Sequence, residues 1–223
     1  MPEHSDFINS FFRVLNQQGK YAFFDYQLTG SPRLNSIAHY DLLIQPDDLN
    51  PVLQQLNAFE EITGLSLTAR FSHSQALINF KKGDLLKINF THRFLYKSLI
   101  YLDATEVMAC NTFNPFKGYF QPSIEHLFEF AILRHYLRFE GWNEELLAFF
   151  RDFHVLIKED LIDSFNSRYG TFFRDLESIA DFDAEARNSI MQRLKALPAN
   201  QFLNSINVRW HNFMGFVREA KII

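Results

Sequence analysis

The feature that most constrains the fold is a change of hydrophobic period along the chain. In the first half, apolar residues come in short alternating runs. "LSLTARF" puts Leu65, Leu67, Ala69 and Phe71 on one face. In "LLKINF", Leu86, Ile88 and Phe90 share one face, and Lys87, Asn89 and Thr91 share the other. "QALINF" and "LLKINF" flank the turn "KKGD", which predicts a β-hairpin. From Pro122 onward the period is 3.6. "PSIEHLFEFAILRHYLRFEG" has Pro122 at its start and Gly141 past its end. It is apolar on more than one side, which predicts a central, buried helix.

Shorter signals fill in the rest. "SDFINSFFRVLNQQG" reads as an amphipathic helix capped by Ser5, followed by strand-like "YAFFDYQL" and "AHYDLLI". "PDDLNPVLQQLNAF" reads as a helix with Asp47 and Asp48 near its positive end. In the second half, "NEELLAFFRDFHVLIKE" aligns Leu146, Phe150, Phe153 and Ile157. "DAEARNSIMQRLKAL" is capped by Asp183 and stopped by Pro198, and a last helix runs through Phe202, Ile206, Phe213 and Val217. The fold class is therefore α+β: a mixed sheet with flanking helices, then an all-α region. The expected domains are residues 1–118 and 119–223. Their short connections predict two packed subdomains rather than beads on a linker.

Composition narrows the functional classes. An apolar fraction of 47% is that of a globular chain, and 26 phenylalanines supply a large core. Those rings, where exposed, also offer a surface for a protein partner. The net charge of −4 gives no bulk attraction for nucleic acid. No apolar run reaches the roughly 18 residues of a membrane span, and the first residues lack a secretory pattern, so a cytoplasmic location is expected. The single Cys110 forms no internal disulfide and is read as a small buried hydrophobe. Glu125 and Glu129 share a helix face without Glu-x-x-His partners and are read as a surface stripe. "HRFLYK" is read as a solvated amphipathic edge.

One stretch points to chemistry. "GSPRLNSIAHYDLLI", residues 30–44, joins a Gly-Ser turn to a strand carrying His39 and Asp41 at positions i and i+2, hence on one face. A Gly-Ser turn lets backbone N–H groups approach a phosphate, and paired strand carboxylates hold Mg²⁺. Together with "GDLLKINFTHRF" and "YLDATEVMACNTFNPFKGYFQPSIEHLFEFAILRH", it makes residues 21–135 resemble the nucleotidyltransferase superfamily. The nearer likeness is to degenerate nucleotidyltransferase-like domains associated with bacterial surface-polysaccharide genes.

The resemblance implies roles residue by residue. Gly30 and Ser31 fall on the phosphate-gripping turn, and Asp41 falls on the second catalytic acid. His39 stands where the first acid belongs, and Asn89 where the third belongs. The third stretch corresponds to a linker into the helical subdomain. With two of three carboxylates replaced, the resemblance implies a pseudoenzyme that needs no metal cofactor. His39, Asp41 and Asn89 would line a cleft, with Lys87 placed to meet an anion. Its ligand would be a nucleotide, a sugar-phosphate or a protein partner. The alternative is an active nucleotidyltransferase using Mg²⁺, with Asp41 as metal ligand and a further acid from Asp84 or Asp25.

Overall fold

The computed structural model describes residues 11–17, 20–24, 37–60, 62–70, 73–81, 85–97, 99–115, 118–138, 147, 150, 151 and 155–203. They group into two compact units: residues 11–93 with 103–123, and residues 94–102 with 124–203.

The first unit is built on a five-stranded mixed sheet. Its strands are β1 (Tyr21–Phe24), β2 (Ile37–Ile44), β3 (Ile62–Arg70), β4 (His73–Phe80) and β5 (Leu85–Thr91). They lie in the order β1-β2-β5-β4-β3. Only β2 and β5 run parallel; the other pairs are antiparallel. β4 and β5 form the hairpin that the sequence predicts, with Gln75 opposite Asn89 and Leu77 opposite Lys87.

Alternation decides what each sheet face does. Leu42, Ile44, Ala76, Ile78, Leu86, Ile88 and Phe90 are all buried in one core. Helix α1 (residues 11–17) buries Phe11, Phe12 and Leu15 in that core and exposes Arg13, Asn16 and Gln17. Helix α2 (Pro46–Leu56) adds Leu49, Val52, Leu53 and Leu56. Each such side chain contributes about 1.5–3 kcal/mol on burial. The start of α2 follows its sequence. Pro46 occupies the first turn, where no amide partner is lost, and Asp47 and Asp48 sit at the positive end. Asp48 also accepts from the Lys20 backbone N–H at 2.8 Å.

The region that the resemblance treats as a linker is structured. Two strands lead into it, β6 (Arg93–Tyr96) and β7 (Leu99–Asp103), and from residue 101 it holds the end of β7, helix α3 (Ala104–Ala109), β8 (Thr112–Asn114) and β9 (Tyr119–Gln121). β6 pairs with β7, and β8 with β9. Asp103 explains the abrupt change from strand to helix: one oxygen caps α3 through Thr105 N–H at 2.9 Å, and the other accepts from Arg93 Nε at 2.6 Å. "HRFLYK" is thus a strand with an ion pair, and His92 Nδ1 lies 3.0 Å from the Ile44 carbonyl oxygen. Cys110, expected to be buried, is exposed, because it is the C-terminal cap of the short α3.

β9 packs close to β1 while belonging to the separate β8–β9 sheet. Asn111 Nδ2 donates to the Tyr21 carbonyl at 2.8 Å. The Tyr21 hydroxyl donates to Asn16 Oδ1 at 2.6 Å and accepts from Phe120 N–H at 3.1 Å. Burial pushes the Tyr21 phenol well above its ordinary range, against the lowering effect of the Phe120 bond.

The second unit is helical: α4 (Ile124–Arg138), α5 (Val155–Tyr169), α6 (Leu176–Ala180), α7 (Ala184–Ala196) and α8 (Pro198–Leu203). Helix α4 is the buried centre that its all-round apolar sequence predicts. Phe130 meets Phe94 at a centroid distance of 4.3 Å, and Phe128 meets Phe150 edge-on at 4.9 Å. Glu129 corrects the surface-stripe reading. It is only 6% exposed, whereas Glu125 is exposed. Its oxygens accept from Tyr169 Oη and from Arg168 Nη1, the latter at 3.2 Å. A buried carboxylate requires such donors.

Helix α5 runs ten residues past Glu159, where the predicted helix ends, because Leu161, Ile162, Phe165 and Tyr169 extend its buried stripe. Gly170, at φ +65°, terminates it by donating to the Asn166 carbonyl at 2.7 Å. Asp183 caps α7 as predicted, through Glu185 N–H at 2.8 Å. Pro198 stops α7 and begins α8. The predicted last helix is described only to Leu203, and Ser5, Gly141, Leu146 and Phe153 lie outside the described residues. Among the described residues no helix is long and apolar enough to cross a membrane.

Candidate functional site: the polar face of the sheet

The sheet face opposite α1 and α2 carries a row of polar side chains. β2 and β5 pair in register, so Asp41 stands beside Asn89 and position 39 beside Lys87. β4 pairs with the other side of β5, which places Gln75 beside Asn89. Asn89 Nδ2 donates to Asp41 Oδ1 at 2.9 Å, and Gln75 Nε2 donates to Asn89 Oδ1 at 2.7 Å. All three side chains are half-buried.

The direction of these bonds follows from charge. An ionised carboxylate only accepts, so Asn89 must turn its NH₂ toward Asp41. Its carbonyl then faces Gln75, which must donate in turn. One fixed negative charge therefore orients two amides on two further strands. Lys87 lies two residues before Asn89 on the same face and is half-buried. Among the described residues its ammonium forms no hydrogen bond or ion pair.

The described side chains of the row are a poor ligand set for Mg²⁺. That ion demands near-octahedral oxygen ligands, usually with more than one negative charge from protein and phosphate. Among the described residues Asp41 is the single carboxylate of the row, and its Oδ1 is occupied by an N–H donor. The carbonyl of Asn89, the other oxygen at hand, accepts from Gln75. Nearby Lys87 adds repulsion toward a cation. Among the described residues, no three His, Cys, Asp or Glu side chains cluster to hold a metal ion.

Of the residues singled out from the sequence, the structure brings Asp41, Asn89 and Lys87 onto one face. β2 carries position 39 into the same row, although only the backbone of His39 is described. Gly30, Ser31, Asp25 and Asp84 lie outside the described residues. Gln75 is the member that sequence reasoning missed. The signal was partial: alternation puts Gln75 on the polar side of "QALINF", but a four-residue "KKGD" turn would set Ala76 opposite Asn89, and the observed pairing, with Asn79 opposite Leu85, shifts that register by one residue.

No protein-family model matches the chain, and no curated protein matches it. Among solved structures it is similar to JHP933 from Helicobacter pylori, at 11% identity and a TM-score of 0.40, over 89% of this chain and 91% of that one. It is also similar to the Megavirus polyadenylate synthase, at 11% identity and a TM-score of 0.30, over 93% of this chain and 48% of that one. Scores this low leave both as weak structural neighbours, and neither assigns a family or an activity to this chain.

Proposed function

We propose that this chain is a nucleotidyltransferase-like protein that binds a nucleotide or sugar-phosphate without metal-dependent transfer. The observation that supports it is the Asp41–Asn89–Gln75 row, in which the Asn89 amide, hydrogen-bonded on both sides, stands where a transferase of the resembled family needs its third carboxylate. In this reading the Lys87 ammonium meets a phosphate oxygen, and the polar row orients the sugar beside it. The ligand is held by one cation and by oriented dipoles, so no divalent ion bridges protein and phosphate.

Calorimetric titration with ATP and with a nucleotide-sugar, each with Mg²⁺ or with EDTA, tests this. The expected result is binding of equal strength in both buffers, weakened about tenfold or more in Lys87→Ala, the loss of one charge-assisted bond. Strictly Mg²⁺-dependent binding, with label transferred from a nucleoside triphosphate and lost in Asp41→Ala, would replace it with an active transferase. Absence of binding to either compound would end the ligand reading.

A further inference from the structure

The two edges of the five-stranded sheet are treated differently. The β1 edge has β9 packed close by and its Tyr21 carbonyl taken by the Asn111 amide. Among the described residues β3 is the outermost strand at the other edge, and Ser66, Leu67 and Thr68 along it are exposed. Edge strands usually carry a charge, a proline or a cover that blocks pairing with another strand. From Ile62 to Ala69, β3 has no charged residue and no proline. Leu67 stands opposite Ala76, a core residue, so it lies on the helix-packed face; yet it is 44% exposed.

We infer that β3 is an interaction surface for a second copy of this chain, joined antiparallel across a two-fold axis at Leu67. The choice of a second copy rests on the self-complementarity of the strand. A two-fold axis at Leu67 sets that leucine against its own counterpart and covers it. Ser66 then faces Thr68 of the other copy, a pair of hydroxyl side chains suited to the polar face. Position 70 pairs with Gly64 of the other copy, so no two charged positions are set directly opposite each other. With the axis perpendicular to the sheet, apolar face continues apolar face and polar row continues polar row. Both Asp41 rows then open to the same side. An unrelated extended segment would gain the backbone bonds but not this matched set.

Sedimentation equilibrium of the full chain from about 1 to about 200 µM tests the inference. The expected result is a mass rising from one chain to two. Leu67→Lys, which supplies the missing edge charge, should hold the mass at one chain throughout, with an unchanged circular dichroism spectrum. A second variant covers failure of that lysine to fold. In a Cys110→Ser background, Leu67→Cys should give a covalent dimer on mild oxidation, since the two-fold places the thiols directly opposite. A single-chain mass at the highest concentration, a dimer unaffected by Leu67→Lys, or the absence of the disulfide-linked species overturns it. None of these readouts involves a nucleotide, so they stand apart from the ligand reading.

Discussion

Asn89 donates its side-chain amide to Oδ1 of Asp41 at 2.9 Å, from the directly opposite position of the parallel β2–β5 pair. A parallel pair holds such neighbours in fixed register. The bond is therefore a property of the strand pairing, not of two mobile side chains meeting. It turns a position suited to a metal ligand into a hydrogen-bond donor.

Replacing that donor by an acid tests the electrostatics. In Asn89→Asp two carboxylates stand side by side and the bond donated to Asp41 is lost, while an acceptor for Gln75 remains. The variant should be less stable than the native chain by about 1–3 kcal/mol in EDTA. Millimolar Mg²⁺ should restore part of that loss, whereas the native melting temperature should not respond to Mg²⁺. Thermal denaturation with and without the ion checks both.

Asn200 gives the largest expected effect of any single polar substitution in the helical unit. It is fully buried, accepts from Ile100 N–H at 2.7 Å, and donates to the carbonyls of Ile100 at 2.8 Å and Leu194 at 2.7 Å. Asn200→Ala strands three buried backbone groups and should cost about 3 kcal/mol or more. Asn200→Asp should be no better, since a carboxylate cannot donate to either carbonyl. Urea unfolding at neutral pH measures both.

Glu129→Ala should destabilise the helical unit by about 2 kcal/mol. The full cost of breaking a buried ion pair is higher, but 39% of the Arg168 side chain remains in solvent and can rehydrate. Glu129→Gln should recover part of the loss by keeping an acceptor for the Tyr169 hydroxyl. Chemical denaturation of the two variants together separates packing from charge.

Alkaline pH should weaken the fold through buried phenols. Burial raises the pKa of Tyr21 and pushes that of Tyr136 up to about 12. A raised folded-state value means that stability is complete below the ordinary tyrosine pKa of about 10 and is lost as pH climbs toward the folded value. For Tyr136 the loss should fall between about pH 10 and about 12. Tyr21→Phe should lose about 1–2 kcal/mol at pH 7, leaving Asn16 Oδ1 and Phe120 N–H without their partner. It should also fall less steeply above pH 10. Melting temperature followed from pH 7 to 11 reads both effects.

Much of this arrangement is legible in the chain itself. Alternation in "LLKINF" assigns Leu86, Ile88 and Phe90 to the core and Lys87 and Asn89 to the polar face, as the burial pattern of β5 confirms. The Asp183 cap is legible for the same reason: a local bond leaves a local signature. β6 and β7 are not, because a four-residue buried run such as "LIYL" is too short to show a period. Glu129 misleads because helical spacing gives a residue's face but not what covers that face. Asn200 carries no sequence signal at all, since its partners at Ile100 and Leu194 are backbone atoms. Asp41 and Asn89 are brought together by a parallel pairing of strands 48 residues apart, for which the chain between them gives no register rule.

The grouping of residues 94–102 with the later helices has a practical consequence for dissecting the molecule. A fragment beginning at residue 124 would lack Phe94 beneath Phe130 and the Ile100 backbone that Asn200 grips, however intact its helices. Supplying a synthetic peptide of residues 93–103 in trans should rescue such a fragment. The second unit is thus assembled from two separate stretches of chain, and no single scission releases both of them together.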